Sequence, residues 1–433
     1  MSAEPPQAAV PGCKSATQRA LMLAALAAGE SRIAGPGEGA DCRELRDALA
    51  ALGAGVRLES GNPEGLETWC VDGLAGLPSP QDVLLDCGEG ASTLRFLLAL
   101  AAAADGETRL RAADGLRARP HAQLLEVLRT QGAAIEATAD GWRVRGRGFR
   151  ARETAVPVDV SSQPLSGLLM ASGAAAQRWT FGGSPVSPGY LALTIAMQRV
   201  VRGADSVEVN PGAIAVAPGF GRARDLVVPG DASSVLALAV AVIVAGRPLA
   251  LSRRWSDRHP DAEALFALRQ AGLLGCDDGD DGGVVLRPGP RGTPGGGGEP
   301  TGGDADPDPA LEFDLADAPD AGPVLGALGL AIAGGVLLHG VARLRAKESD
   351  RVAGIRRLAE AAGAHSEERG GALRVHAVAR RPAGERRYDP AGDHRLAMAG
   401  GIAALRDDGL RVEHPDCVAK SFPAFWDRLA LLT

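Results

Sequence analysis

Aromatic side chains are scarce in this sequence, since Phe, Trp and Tyr together make up 3% of its 433 residues. Proteins that bind single-stranded nucleic acid stack the bases on such rings, so the scarcity counts against that class. The formal net charge is -7, whereas nucleic-acid-binding domains usually carry a basic excess. We therefore expect no nucleic-acid partner.

Cysteine is also scarce, and long apolar runs are missing. The six cysteines are scattered, without a CxxC pair or a metal-ligand spacing, which argues against a disulfide framework and a zinc site. The most apolar stretches, 235–245 and 324–338, are shorter than the roughly 20 residues that span a bilayer, so they are predicted to be buried helices. The N-terminus lacks the basic start and apolar run of a signal peptide. We expect a cytoplasmic protein with no membrane partner.

The sequence does contain a sixfold internal repeat. Six times, a short cluster of small or polar residues opens directly into a helix rich in Ala and Leu. Markers in these openings are separated by 78, 70, 71, 87 and 74 residues, a period that indicates repeated supersecondary units. The markers are Lys14, Ser92, Ser162, Ser233, Asp320 and His394.

Each repeat also contains a second, amphipathic helix with apolar residues at i, i+3, i+4 and i+7. We predict these helices at 43–52, 123–130, 192–201, 262–270, 352–362 and 423–432. The first five end at a glycine, where a helix commonly stops: Gly53, Gly132, Gly203, Gly272 and Gly363. Alternating apolar segments follow most of these glycines and predict hairpins. A repeat is therefore a buried helix, a strand, an amphipathic helix and a hairpin, and two sets of three repeats make two similar α/β domains.

The fourth repeat is longer than the others because it holds the segment 277–309, which is rich in Gly, Pro and Asp. Such a composition cannot bury enough apolar surface to form a core. We expect this segment to be a flexible insertion.

Basic residues recur at the helix openings and just outside the helices. A helix N-terminus attracts anions through its unpaired N–H groups and its partial positive charge, although small polar residues there are most often simple caps. Because Arg and Lys lie at equivalent edges of several repeats, the pattern indicates a site for a multiply anionic ligand. These residues are Lys14, Arg19, Arg95, Arg119, Arg343, Arg345, Lys347, Arg351, Arg395 and Lys420.

The openings and their flanks resemble the EPSP synthase family of enolpyruvyl transferases, in the same order over nearly the whole chain. The similar segments are PGCKSATQRALMLAALAAG (11–29), GEGASTLR (88–95), DGLRARP (114–120), VSSQPLSGLLMAS (160–172), SPGY (187–190), GDASS (230–234), DAPDA (317–321), AKESDR (346–351), GDHRLAM (392–398) and CVAKSFP (417–423). The resemblance implies an α/β fold of two domains, each of three βαβαββ repeats, known as an inside-out α/β barrel. It places the first domain at 1–12 plus 229–433 and the second at 13–228.

The resemblance also implies an activity, the transfer of the enolpyruvyl group of phosphoenolpyruvate to the 5-hydroxyl of shikimate 3-phosphate, with release of phosphate. It implies a monomer that needs no metal or organic cofactor. Asp320 resembles the base at the hydroxyl, Glu348 a group that protonates the phosphoenolpyruvate methylene, and Lys14 a catalytic residue near both substrates. The implied shikimate 3-phosphate contacts are Lys14, Ser15, Arg19, Ser161, Ser162, Gln163, Ser187, Tyr190, Asp320, Arg343 and Lys347. The implied phosphoenolpyruvate contacts are Lys14, Ala91, Arg119, Gln163, Arg351, Arg395 and Lys420.

Several positions depart from the family pattern, namely Cys13, Glu89, Ala91, Arg343 and Gly392. Members of the family with alanine in place of glycine at the position of Ala91 tend to tolerate glyphosate, so we expect tolerance here. Two alternatives stay open. One is an enolpyruvyl transferase with another anionic acceptor, although the UDP-N-acetylglucosamine enzyme of the superfamily has Lys-Asn where this chain has Lys14-Ser15. The other is a silent sugar-phosphate-binding paralogue, against which Lys14, Asp320 and Glu348 together count.

Overall fold

The computed structural model describes residues 4–59, 67–279, 282–290 and 309–433. The chain divides into two compact units. The first unit comprises Met1–Pro11 and Pro229–Thr433, and the second comprises Gly12–Val228. The chain thus starts in the first unit, builds the whole of the second and then returns. The predicted domains, 1–12 plus 229–433 and 13–228, differ from this division by one residue at the first crossing.

The second unit consists of three consecutive repeats of helices and strands. Its helices are α1 (Lys14–Leu26), α2 (Ala40–Ala51), α3 (Ala91–Ala103), α4 (Asp114–Arg117), α5 (Ala122–Thr130), α6 (Gln163–Ala171) and α7 (Pro188–Arg202). Its strands are β2 (Ala28–Ala34), β3 (Gly55–Glu59), β4 (Thr68–Leu74), β5 (Gln81–Asp86), β6 (Asp105–Arg111), β7 (Ala134–Ala137), β8 (Gly141–Arg147), β9 (Glu153–Ala155), β10 (Gln177–Thr180), β11 (Val207–Asn210), β12 (Ala213–Val216) and β13 (Asp225–Val227). Short 3-10 turns join some elements, as at Ala204–Ser206.

The first unit repeats the same arrangement. Its helices are α8 (Ala232–Ala245), α9 (Ala262–Gln270), α10 (Gly322–Gly329), α11 (Arg351–Ala362), α12 (His394–Ala404) and α13 (Phe425–Ala430). Its strands are β1 (Gln7–Ala8), β14 (Leu249–Leu251), β15 (Leu274–Asp278), β16 (Val284–Pro288), β17 (Leu311–Asp314), β18 (Val336–His339), β19 (Ser366–Arg369), β20 (Ala372–Val375), β21 (Arg386–Tyr388) and β22 (Leu410–Val412). Three 3-10 turns lie beside the helix openings: Pro319–Ala321, Val341–Ala346 and Pro415–Lys420.

Each repeat forms its own small sheet. In the described residues the strand orders of the second unit are β13-β2-β4-β3, β5-β6-β8-β7 and β11-β12-β10-β9, and those of the first are β1-β14-β16-β15, β17-β18-β20-β19 and β21-β22. Every four-stranded sheet joins one parallel strand pair to an antiparallel hairpin, as when β5 pairs with β6 and β8 pairs with β6 and β7. Strand β13, the last strand of the second unit, pairs in parallel with β2 in the sheet of the first repeat of that unit. The last segment of the unit thus contacts its first repeat.

The cores follow from the composition of the helices. Helices α1, α3 and α6 are apolar on almost all sides and lie within one buried cluster, while α8, α10 and α12 lie within another. The second helices are amphipathic and lie closer to solvent. Five of them are followed by the predicted glycines, all with positive φ between 69° and 104°. The predicted α/β repeat of buried helix, strand, amphipathic helix and hairpin is confirmed in five repeats, and the sixth ends with α13 and no hairpin in the described residues.

The prediction of a flexible insertion over 277–309 is wrong for part of that range. Asp277 and Asp278 end strand β15, and residues 284–288 form strand β16, which pairs antiparallel with β15. Strand β16 forms despite its polar context because Val284 and Leu286 alternate toward the core. Residues 280–281 and 291–308 of the predicted insertion lie outside the described residues. In the described residues no helix combines the length and apolar character needed to cross a membrane.

Close approach of a hairpin strand to a buried helix makes Gly146 a sensitive position. A Cβ on Gly146 of β8 would lie 2.1 Å from the Ala101 carbonyl oxygen and 2.3 Å from that of Ala104, at the end of α3. Gly146→Ala is therefore expected to lower the free energy of unfolding by about 1–3 kcal/mol, because strand or helix must move. Chemical denaturation followed by tryptophan fluorescence measures this. Gly115→Ala is the control, since its added methyl would meet nothing within 4 Å. Equal stability of the two variants would contradict the packing described.

Candidate active site

The predicted openings all fall at the N-termini of the six buried helices, α1, α3, α6, α8, α10 and α12. Among these starts, a side chain accepts a hydrogen bond from a first-turn N–H group at α6, α8 and α12, through Ser161, Asp231 and Asp393. In the described residues, the residues before α1, α3 and α10 make no such side-chain bond. Helix starts without caps retain N–H donors that suit an anionic ligand.

In the first unit, the centre of the site is the buried guanidinium of Arg351, which is 2% exposed. Its Nε lies 2.7 Å from Oδ2 of Asp393, and its Nη1 lies 2.7 Å from Oδ1 of Asp320. Burial by itself would lower the pKa of Arg351, but the negative charges of Asp393 and Asp320 raise it above its ordinary value. This arrangement ties the openings of α10, α11 and α12 together through one permanent cation.

Asp320 is surrounded by further cations. Lys347 Nζ lies 3.3 Å from its Oδ1, and Arg395 Nη2 lies 3.8 Å from its Oδ2. The Asp320 side chain is 25% exposed, so it remains accessible while its negative charge is stabilised. Burial by itself would lower the pKa of Arg395, but Asp320 and Asp261 raise it. The arrangement places an accessible carboxylate among three positive charges.

Glu348 forms a second buried group with Lys420 and His394. Lys420 Nζ lies 3.2 Å from its Oε1, and His394 Nδ1 lies 2.8 Å from its Oε2. Burial would raise the pKa of Glu348, but the charges of His394 and Lys420 lower it well below its ordinary value. Glu348 is therefore ionised in this structure. His394 and Asp393 were not among the predicted ligands, although both lie in the GDHR segment that opens α12.

In the second unit, Lys14 at the start of α1 forms an ion pair with Asp41 of α2, with 2.9 Å between Nζ and Oδ2. The Asp41 backbone carbonyl accepts hydrogen bonds from Gln18 Nε2 and Thr93 Oγ1, at 3.2 and 3.0 Å. The starts of α1, α2 and α3 are thereby held together. Asp41 was not predicted, because nothing in its local pattern identifies the helix that faces it.

Arg19 is buried, with 2% of its surface exposed, and is bound to neutral acceptors. Its donors reach Oγ1 of Thr194 at 2.7 Å, the Ser15 carbonyl at 2.8 Å and the Tyr190 carbonyl at 3.1 Å. Burial lowers the pKa of Arg19 to about 10. It therefore links α1 to α7, and this places Ser15 and Tyr190, both predicted ligands, beside one another.

Arg95 of α3 is a second buried cation of this unit. It donates to Oε1 of Gln163, the first residue of α6, and to the Pro120 carbonyl at 3.2 Å. Burial is the main cause that lowers the pKa of Arg95 to about 9, and the like charge of Arg119 is a smaller cause. Within the described part of the chain, no carboxylate pairs with Arg95. Gln163, a predicted ligand, is thus bound to this cation, and Arg119, another predicted ligand, adds a second positive charge near it.

The remaining predicted residues have the following places. Ser161 Oγ accepts from the Gln163 amide at 3.2 Å, and Ser162 is the residue before α6. Ser187 precedes α7 with a left-handed φ of 51°, an uncommon conformation for a residue other than glycine. Ala91, 8% exposed, packs in the core of its unit, and the half-buried Arg343 donates to the Ala316 carbonyl at 2.6 Å.

Comparison with known proteins identifies the family. The family model for EPSP synthase (3-phosphoshikimate 1-carboxyvinyltransferase) matches residues 7–429. A 3-phosphoshikimate 1-carboxyvinyltransferase of Syntrophobacter fumaroxidans is 34% identical, and the match covers 97% of this chain and 95% of that protein. One from Rhizobium leguminosarum bv. trifolii is 32% identical, with 98% and 93% covered.

Solved structures with the same fold include EPSP synthase from Acinetobacter baumannii. It has a TM-score of 0.73 at 22% identity, and the match covers 98% of this chain and 94% of that one. The enolpyruvyl transferase NikO from Streptomyces tendae has a TM-score of 0.69 at 18% identity, with the same coverage. At these identities, the likeness shows the fold.

The buried ring of His121, beside Arg95 and Arg119, gives the stability a pH dependence. Its Nε2 contacts the Leu116 carbonyl at 2.8 Å, and burial lowers its pKa to about 4. Between about pH 6.5 and 4 the His121 ring is protonated in the unfolded chain but stays neutral in the folded chain. The free energy of unfolding therefore falls as the pH drops through this range. We expect His121→Gln to lose less stability over this range, by up to about 3 kcal/mol.

Denaturant unfolding at a series of pH values measures this difference. His365→Gln, at an exposed position, is the control and should follow the wild type. Parallel curves for the wild type and His121→Gln would show that the ring is protonated within the fold.

Proposed function

The chain belongs to the EPSP synthase (3-phosphoshikimate 1-carboxyvinyltransferase) family, and we propose that it transfers the enolpyruvyl group of phosphoenolpyruvate to the 5-hydroxyl of shikimate 3-phosphate. The reaction releases inorganic phosphate. The observation that carries the proposal is the accessible carboxylate of Asp320, held among Lys347, Arg351 and Arg395 in the first unit. Such a group combines a base with the charge that two phosphorylated substrates require.

Asp320 is proposed as the base. When its Oδ atoms accept the proton of the 5-hydroxyl, the hydroxyl oxygen can attack the enol carbon of phosphoenolpyruvate. Glu348 is proposed to take part in protonating the methylene carbon, which gives a tetrahedral intermediate with a methyl group. This intermediate then loses phosphate together with one proton of that methyl group, and the carbon–carbon double bond of the enolpyruvyl product is restored. The cations beside these carboxylates offset the negative charge of the substrates and of the transition state.

Binding is proposed to use both sets of residues. The predicted phosphoenolpyruvate ligands are Arg351, Arg395 and Lys420 in the first unit and, in the second unit, Lys14, Ala91, Arg119 and Gln163. Shikimate 3-phosphate would contact the remaining predicted ligands, for which Arg19 provides the frame by fixing Ser15 and Tyr190. Arg343 and Lys347 would contact it from the first unit.

A different acceptor is the second candidate, because the enolpyruvyl transferase NikO shares the fold. Phosphate release from phosphoenolpyruvate should be measured with shikimate 3-phosphate and, separately, with UDP-N-acetylglucosamine. Rapid release with the first acceptor alone supports the proposal. Release with the second alone would assign another acceptor, and release with neither would favour a silent binding protein.

Replacing the proposed base tests its role. Asp320→Asn is nearly isosteric and can still accept hydrogen bonds, but it cannot take up the proton. Turnover should fall by about a hundredfold to ten-thousandfold, while both substrates still bind. Steady-state phosphate release and equilibrium binding measure the two effects. Asp408→Asn, at an exposed carboxylate of the same unit, should retain full turnover. An unchanged rate in Asp320→Asn would assign the base to another group.

Ala91 tests the expected glyphosate tolerance. Its methyl occupies the glycine position of the family pattern, at the start of α3. If that methyl meets the longer glyphosate molecule, Ala91→Gly should be inhibited at about one-tenth to one-hundredth of the concentration, with a smaller change in phosphoenolpyruvate saturation. Ala103→Gly, at the other end of the helix, is the control. Equal inhibition of Ala91→Gly and wild type would place the methyl within the core, out of reach of the ligand.

A further inference from the structure

Lys420 and Glu348 have proposed roles that conflict with the contact between them. Lys420 is proposed to bind phosphoenolpyruvate, yet its ammonium lies 3.2 Å from Glu348 Oε1. Glu348 is proposed to supply a proton, yet its surroundings keep it ionised. Both roles can hold only if the pair changes partners when the substrate binds.

The surroundings of Glu348 limit how it can change. His394 at the start of α12 lies 2.8 Å from its Oε2, Lys420 lies at the end of the Pro415–Lys420 turn, and Arg351 adds a more distant positive charge. Arg351 is itself held by Asp320 and Asp393, as described above. Arg351 is therefore fixed, whereas Lys420 is a flexible side chain with a single charged end.

The burial of Lys420 and Glu348 favours an exchange of ionic partners over separation of the two charges. The side chains of Lys420 and Glu348 are 8% and 17% exposed, so neither charge is well solvated and each needs a neighbour of opposite charge. An anionic ligand that reaches Lys420 competes directly with the carboxylate. When Lys420 turns to the ligand, Glu348 loses a positive neighbour and gains a negative one. Both changes favour a proton on the Glu348–His394 pair.

We propose that Lys420 is an exchangeable partner: phosphoenolpyruvate takes it from Glu348, and the Glu348–His394 pair takes up one proton from solvent in return. The charged His394 already donates its Nδ1 proton to Glu348 Oε2, so the additional proton binds Glu348 Oε1, the oxygen that Lys420 leaves, and the buffer is left deprotonated. Substrate binding thus protonates Glu348, the group proposed to protonate the methylene carbon later in the reaction. The inference rests on the proposed function, because it takes phosphoenolpyruvate as the anion that reaches Lys420.

Calorimetric titration with phosphoenolpyruvate alone, in buffers of different ionisation enthalpy, counts the protons exchanged. Near pH 8 the ligand's phosphate, which titrates near pH 6, contributes little. The wild type should take up about 0.3 to 1 proton per molecule bound. Glu348→Gln should take up none. The matched control is Glu368→Gln, which changes a carboxylate paired with Arg345 on the surface and should behave as the wild type.

Affinity separates an exchange from a purely structural role. Without a carboxylate to compete for Lys420, Glu348→Gln should bind phosphoenolpyruvate about threefold to tenfold more tightly, although its turnover falls. A structural role for Glu348 predicts weaker binding instead. The wild type alone gives an independent test: its dissociation constant should rise between pH 7.5 and 8.5, by up to about tenfold per pH unit.

Three results would overturn the proposal: no proton uptake by the wild type, uptake that persists in Glu348→Gln, or weaker binding by that variant. The wild-type measurements decide the matter even if the variant does not fold. Phosphate release from the two substrates is assayed separately. An active enzyme without proton uptake would refute the exchange alone, whereas an enzyme without phosphate release would refute the proposed function.

Discussion

A buried positive charge must be compensated, and this constraint determines how both units hold their cations. In the first unit Arg351 is compensated by two carboxylates, those of Asp393 and Asp320. In the second unit Arg19 and Arg95 are compensated by carbonyl, hydroxyl and amide oxygens, and in the described residues neither is paired with a carboxylate. Arg351 is thus compensated by anions, whereas Arg19 and Arg95 are compensated by neutral dipoles, and Lys14 of the second unit is paired with the carboxylate of Asp41.

The repeated architecture explains why these cations lie where they do. Each repeat buries one helix almost completely, so the residues at its N-terminus are the first that can reach solvent. A charged side chain at the N-terminus of such a helix can be buried against the protein on one side and exposed to solvent or a ligand on the other. The hairpins and amphipathic helices cover the rest of each core, which leaves the helix openings as the polar positions of the fold.

Sequence patterns predicted the repeat, the buried helices and the terminal glycines, because periodicity and helix termination are local properties. They did not predict the partners of the charged residues. Asp41 is 27 residues from Lys14, and His394 is 46 residues from Glu348, so packing alone brings these pairs together. The strand β16 was also missed, because its pairing with β15 outweighs a composition that favours loops. Local sequence patterns therefore locate the candidate site, whereas its ion pairs and hydrogen bonds depend on tertiary contacts.

An anionic ligand has a different effect on a cation that is paired with a carboxylate than on a cation that is bound by neutral oxygens. An anion that meets Arg95 adds a negative charge to a centre whose pKa is lowered to about 9, so binding stabilises the cation and displaces no internal anion. An anion that meets Lys420 or Lys347 must compete with Glu348 or Asp320. The carboxylates released in this way lose a positive neighbour, which makes each a stronger base. The acid–base chemistry of the first unit is therefore coupled to substrate binding, whereas Arg95 of the second unit provides affinity without that coupling.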